Sequence, residues 1–136
     1  MGRGSNLLVA DAGFRGLALQ LGQAFEKVRT EGTTVVAGAG VSLPVLARRT
    51  VTESLTGFEW AVGVPGSLGG AVRMNAGGHG SDMASSLVSA DTVDLTTGEG
   101  RHRTLADLSL GYRSSSIDKS EVVVEATIAL TVGDTA

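Results

Sequence analysis

Apolar residues in the first third of the chain come in short runs rather than at helical intervals. Leu7-Leu8-Val9 reads as a short buried run behind a turn sequence, Gly2-Arg3-Gly4-Ser5-Asn6. Leu17-Ala18-Leu19 and Ala24 to Thr30 read as strands, the second with Phe25 and Val28 as its apolar positions. Thr33 to Ala37 is β-branched and apolar and ends at Gly38-Ala39-Gly40. The periodicity then changes. Leu43, Leu46, Ala47, Thr50 and Val51 recur at helical spacing and predict an amphipathic helix, with Ser42 as N-cap and Pro44 in the first turn. Arg48 and Arg49 fall on its outer face, and Gly57 marks its stop. Later, Ala90 to Leu95 and Arg101 to Leu105 predict a hairpin around Thr97-Gly98-Glu99-Gly100. Leu105 to Leu110 predicts a short helical turn, and Val122 to Val132 a strand with one buried face. No internal repeat or linker interrupts the pattern, so residues 1–136 read as one α+β unit with several strands and few helices.

Composition changes this picture at one point. Glycine supplies 20 of the 136 residues, about twice the usual share of roughly 7%. Two prolines and 42% apolar residues rule out a low-complexity disordered chain, so the glycine belongs to folded loops. Eight of these glycines lie between Gly57 and Gly80, a stretch whose charged residues are Glu59 and Arg73. The formal net charge of −3 has no long run of either sign and offers nothing for nucleic acid or an anionic membrane. There is no cysteine, which excludes disulfides and thiolate chemistry and suits a reducing compartment. Neither a signal-peptide pattern nor a membrane-length apolar run is present, and a cytoplasmic location is expected.

Three segments carry candidate chemistry. Gly2-x-Gly4-Ser5-Asn6 can act as an anion-binding nest of backbone N–H groups with Ser5 and Asn6 as added donors, or as a plain turn. It lacks the third glycine of a dinucleotide fingerprint and the Lys-Ser/Thr of a Walker loop. Gly63-Val64-Pro65-Gly66-Ser67-Leu68-Gly69-Gly70-Ala71, followed by Asn75-Ala76-Gly77-Gly78-His79-Gly80, is dense enough in small residues for backbone to lie against a flat or anionic ligand. A tightly packed structural crossover explains it equally well. Tyr112-Arg113 beside Ser114-Ser115-Ser116 could hold a carboxylate or enolate through the guanidinium fork, or form an ordinary solvated loop. His79 and His102 are far apart and read as loop or surface residues rather than metal ligands.

Taken in order, these segments resemble one family, the UDP-N-acetylenolpyruvoylglucosamine reductases (UDP-N-acetylmuramate dehydrogenases). The family's G-x-G-S-N-L-L-V-x-D is matched by Gly2 to Asp11, and its G-A-G before a helix by Gly38-Ala39-Gly40. G-x-E is matched by Gly57-Phe58-Glu59, I-P-G-x-x-G-G-A by Val64 to Ala71, N-A-G-x-x-G by Asn75 to Gly80, and Y-R-x-S by Tyr112 to Ser115.

The resemblance implies the larger part of a vanillyl-alcohol-oxidase-type (PCMH-type) FAD-binding domain, mainly antiparallel sheet with few helices. It implies FAD as cofactor, NADPH as hydride donor and a UDP-sugar enolpyruvate as substrate, in peptidoglycan precursor synthesis. Gly2, Arg3, Gly4, Ser5 and Asn6 would then embrace the pyrophosphate and isoalloxazine together with a second group, Val64, Pro65, Gly66, Ser67, Gly69 and Gly70. Asn75, Gly77 and Gly80 would extend that group, and Val123 would offer backbone to the adenine. Arg113 would be catalytic, stabilising the enol intermediate. His79 departs from the tyrosine of many members.

The family's first FAD subdomain and C-terminal substrate domain, which supplies its proton donor, are expected to be missing, leaving this chain without turnover of its own. Apolar surface around Val64 to Ala71 is then expected to drive self-association, and valine at Gly66 or Gly69 to block FAD without unfolding the chain. The alternative reading is a non-catalytic module of the same fold that binds flavin or nucleotide, or self-associates.

Overall fold

The computed structural model describes residues 1–133. Its centre is an antiparallel five-stranded sheet. In chain order its strands are β1 (Val28–Glu31), β2 (Thr34–Gly38), β6 (Leu87–Asp94), β7 (Gly100–Thr104) and β8 (Glu121–Ala129), arranged in space as β1-β2-β8-β6-β7. Two short pairs complete the strands. One is β3 (Leu55–Thr56) with β9 (Thr131–Val132), and the other is the hairpin of β4 (Gly77–Gly78) with β5 (Ser81–Asp82). The helices are α1 (Leu43–Thr52), α2 (Leu68–Met74) and α3 (Leu105–Leu108).

The core forms where the sheet's apolar positions meet two helices. Val35, Ala37, Ala126 and Ile128 from β2 and β8 are buried together with Leu43, Leu46 and Ala47 of α1. Leu68, Ala71 and Val72 of α2 join the same cluster, with Phe58 stacked edge-to-face on Trp60 at 5.3 Å. The predicted helix is found almost where the spacing put it, but its buried face is narrower. Val51 is exposed, the chain leaves the helix at Glu53, and left-handed Ser54 makes the turn well before Gly57. Ser42 is the N-cap residue by backbone but makes no side-chain cap bond. Thr104, by contrast, forms a full capping box with Asp107 at the start of α3.

Several strand expectations are corrected. Leu17-Ala18-Leu19 is not a strand, and Ala24 to Thr30 divides into a short 3-10 turn, Gln23–Phe25, and β1. Leu7-Leu8-Val9 is not buried: Leu8 is 99% exposed, and Phe14 and Leu17 also face solvent. Strand-like runs form strands only where a neighbouring strand can take their backbone bonds, and none lies beside this segment among the described residues. The predicted last strand is interrupted at Leu130, whose N–H turns to the carbonyl of Thr33, so β8 and β9 belong to different sheets.

Candidate functional site

Glycine determines how closely the elements around the main cavity approach each other. At Gly38 an added Cβ would lie 2.0 Å from the Phe25 carbonyl oxygen, so only glycine lets the Gln23–Phe25 turn cross the end of β2. The Gly38-Ala39-Gly40 segment then runs beside the loop that precedes α2. Leu43 N–H donates to the Gly66 carbonyl at 3.0 Å and Leu68 N–H to the Val41 carbonyl at 2.8 Å. Gly69 N–H donates to the Ala39 carbonyl at 2.8 Å, so α2 lies directly on the sheet edge.

The cavity that results has a volume of about 550 Å³, within the usual range of roughly 300–1,000 Å³ for small-molecule sites. Gly2, Arg3 and Ser5 line one side. Pro65, Gly66, Ser67, Gly69 and Gly70 line another, and Val123 of β8 lies at the back. Nine of the sequence-proposed cofactor residues therefore meet in one place. Gly66 holds φ +126°, a conformation that L side chains rarely adopt, and an added Cβ there would point into open space.

Val123 comes to the cavity through a register fault. Between Asp91 and Thr92 of β6 the pairing with β8 shifts, so that Thr92 meets Val123 rather than Val124. Leu95 N–H donates to Ser120 at 2.8 Å and Val93 lies opposite Val122. The alternation of an antiparallel ladder therefore turns the N–H and C=O of Val123 away from β6. β2 has already ended at Gly38, opposite Glu125, so this donor–acceptor pair faces the cavity. Its carbonyl oxygen would lie 3.6 Å from a Cβ at Gly69.

Seven of the proposed residues line no part of this cavity. Gly4 and Asn6 lie in the same turn as Gly2 without forming its wall, and Val64 packs against the core. Gly80 turns the β4–β5 hairpin with His79, both at positive φ. Asn75, Gly77 and Arg113 border a second concavity of about 500 Å³, with Asp82 and Tyr112. There Asn75 is a structural hub. It sits buried in the left-handed cap position of α2, donates from Nδ2 to the Gly111 carbonyl at 2.9 Å and to Asp82 Oδ2 at 3.2 Å, and accepts from the Ala84 N–H at 3.0 Å. The Gly111 carbonyl opens the turn that carries Tyr112 and Arg113, where the Arg113 guanidinium lies 5.3 Å from the Tyr112 ring centre.

Sequence reasoning missed Arg73, Ile117 and Glu121, which also line the main cavity. The helical step from Gly69 and Gly70 to Arg73 was the available signal, since α2 puts all three on one face. Glu121 is buried beside Arg101 and Arg103. Burial pushes its carboxyl pKa up, but hydrogen bonds from Thr92 at 2.9 Å, from Arg103 and from the Asp118 N–H outweigh that and hold it below the usual carboxylate range. The apolar surface expected around Val64 to Ala71 is corrected as well: Leu68 and Ala71 are core, and six exposed apolar residues fall instead between Leu7 and Leu19. His102 pairs across the strands with Asp91, Nδ1 to Oδ1 at 2.7 Å, on an exposed face. No helix among the described residues is long and apolar enough to cross a membrane.

Known proteins resemble this chain along almost its whole length. UDP-N-acetylenolpyruvoylglucosamine reductase from Alkaliphilus oremlandii is 43% identical over 135 residues, covering 98% of this chain and 44% of the relative. The enzyme of the same name from Levilactobacillus brevis is 45% identical over 137 residues, again 98% of this chain and 44% of the relative. The crystal structure of UDP-N-acetylenolpyruvylglucosamine reductase from Thermus caldophilus superposes with a TM-score of 0.84 at 30% identity, over 99% of this chain and 49% of that one. The chain thus spans a little under half the length of the curated relatives it matches. Residues 1–105 match the family described as FAD binding domain, and the chain belongs to that family.

Proposed function

We propose that this chain is the FAD-binding part of a cytoplasmic, NADPH-dependent reductase that converts UDP-N-acetylglucosamine enolpyruvate to UDP-N-acetylmuramate for peptidoglycan synthesis. The observation that carries the reading is the main cavity. Its walls are glycine-rich backbone from Gly2 to Ser5 and from Gly66 to Gly70, and its back is the open N–H and C=O of Val123. Those residues suit FAD: neutral backbone donors for the pyrophosphate along the walls, and a donor–acceptor edge complementary to adenine at the back. Bound FAD would supply the hydride chemistry between NADPH and the enolpyruvyl double bond.

Arg113 has a separate role. It stands on the tip of a turn that Asn75 fastens, beside the second concavity. A permanent guanidinium there would oppose negative charge developing on the substrate carboxylate side. A second reading, self-association, is favoured by the exposed Leu8, Phe14 and Leu17.

The first test is titration of the purified chain with FAD, followed by visible absorbance and flavin fluorescence. Saturable one-to-one binding that quenches the flavin supports the reading. Fluorescence identical to that of free FAD at every protein concentration contradicts it.

A further inference from the structure

Arg73 is a cation in the cavity wall for which the reading above has no use. It extends the Gly69-Gly70 face of α2 by one turn, and its side chain is half-buried. No carboxylate of the described residues lies within salt-bridge distance of it; its recorded contact is Nη1 donating to the Asp118 carbonyl at 3.1 Å. That carbonyl is itself held. It accepts the Glu121 N–H at 3.0 Å, and the Asp118 N–H donates to the Glu121 carboxylate at 3.3 Å. Buried Glu121 is in turn fastened by Thr92 and Arg103. The guanidinium is therefore an arm pinned across one end of the cavity, next to Ile117, rather than a freely moving surface charge.

Position along α2 decides which part of a ligand it meets. Ser67, whose Oγ lies 3.2 Å from a Cβ built on Gly2, marks the end where the glycine turn approaches. Arg73 is six residues further on, about 9 Å along the helix axis at 1.5 Å per residue. The phosphate-type donors are thus toward the opposite end, Arg73 shares its end with Ile117 through the Asp118 carbonyl, and Val123, whose carbonyl lies 3.6 Å from a Cβ built on Gly69, stands between the two.

We propose that Arg73 is a specificity residue for the adenosine half of the cofactor: its guanidinium plane covers one face of the adenine while Val123 reads the ring's edge. A planar, weakly hydrated guanidinium stacks on a nucleobase readily, whereas an ammonium does not. This inference rests on the FAD-binding reading and refines it.

The test is binding of FAD, FMN and riboflavin to the 136-residue chain, compared with Arg73→Gln and Arg73→Tyr, with circular dichroism to confirm that each variant is folded. Arg73→Gln should weaken FAD about 3- to 30-fold and leave FMN and riboflavin unchanged. Arg73→Tyr, a stacking surface without charge, should restore most of the loss. Equal loss for FAD and FMN, or no loss for either, overturns the proposal. So does a loss that disappears at high salt and is not recovered by tyrosine, which would assign the cation to the diphosphate. A parent chain that binds no flavin is a different result and removes the underlying reading itself.

Discussion

Replacing Gly69 by alanine separates packing from cofactor binding at the point where α2 meets the sheet. The new Cβ would lie 2.9 Å from the Cβ of Ala39 and 3.3 Å from its carbonyl oxygen. Neither neighbour can step aside, because one is backbone and the other the shortest side chain that exists. Retreat of the helix is opposed by the 2.8 Å bond from Gly69 N–H to that same carbonyl. Overpacking of this kind costs about 1–3 kcal/mol. The helix-propensity gain from glycine to alanine, at most about 1 kcal/mol and smaller in a first turn, offsets part of it. A net loss of roughly 0.5–2 kcal/mol is expected, or about 2–7 °C in Tm for a chain this size. Urea unfolding of Gly69→Ala, Ala39→Gly and the double variant would give a favourable coupling of at least about 1 kcal/mol, since Ala39→Gly removes the colliding atom. A Gly69→Ala chain as stable as its parent, with additive single effects, refutes the reasoning. The expectation that valine at Gly69 blocks FAD while leaving the fold intact is thereby revised: the position is first a packing contact.

Other outcomes follow from the same geometry. Gly66→Ala meets no atom within 4 Å but must hold φ +126°, so it should cost about 1–3 kcal/mol by thermal melt while crowding the cavity. Asn75→Ala strands the Ala84 N–H and leaves the Gly111 carbonyl only its 3.3 Å bond from the Ser114 N–H, and should lose about 1–3 kcal/mol in denaturant, with Arg113 less ordered as read by proteolysis near residue 113. Because the Glu121 carboxyl is held below the usual range, its contribution to stability is complete above the ordinary carboxylate pKa and fades as pH falls through its lowered value. Thermal melts should therefore lose stability on acidification below about pH 4, less so in Glu121→Gln. Leu8→Ser with Phe14→Ser should shift light scattering toward monomer; an unchanged mass would exonerate the segment from Leu7 to Leu19.

The sequence was legible wherever local chemistry decides. Helical spacing from Leu43 to Thr50 forecast α1, and the turn residues Thr97 to Gly100 forecast the β6–β7 hairpin. The glycine-rich segments were singled out, and eight of their candidate residues share one cavity with Val123. Three things could not be read. Leu7 to Leu19 carries a strand-like pattern, but a strand needs a partner for its backbone, and pairing is not written in a local pattern. Asn75 looked like a ligand residue because an amide in a glycine-rich loop suits either a ligand or a hub; only its three bonds decide between them. Arg73 was passed over because a lone charge on a short helix gains meaning only from what stands opposite, here the Asp118 carbonyl.

The register fault in β8 explains why so much of the site depends on long-range geometry. A regular strand from Glu121 to Ala129 would alternate its buried side chains without interruption, yet the buried positions are Glu121 and Val123 before the fault and Ala126 and Ile128 after it. The slip lets one strand serve two neighbours. Its second half pairs with β2 on one side and β6 on the other, while its first half pairs with β6 alone and presents Val123 to the cavity. Continuity of the ladder is surrendered at one step, a cost that bulges commonly carry beside functional sites. The same slip brings Glu121 inward, where it can fasten Asp118 and through it Arg73. Deleting Val124 removes the extra residue and leaves Thr92 opposite Val123 and Asp91 opposite Glu125, so Glu121 and Val123 keep the face they share with Ala126 and Ile128. What is lost is the 2.9 Å bond from the Ala39 N–H to the Val124 carbonyl, and FAD binding should weaken more than folding because the Gly38-Ala39-Gly40 wall is released. Loss of fold in that deletion, with no flavin-binding folded state recoverable by stabilising osmolyte, would show that the fault is needed for the sheet rather than for the site.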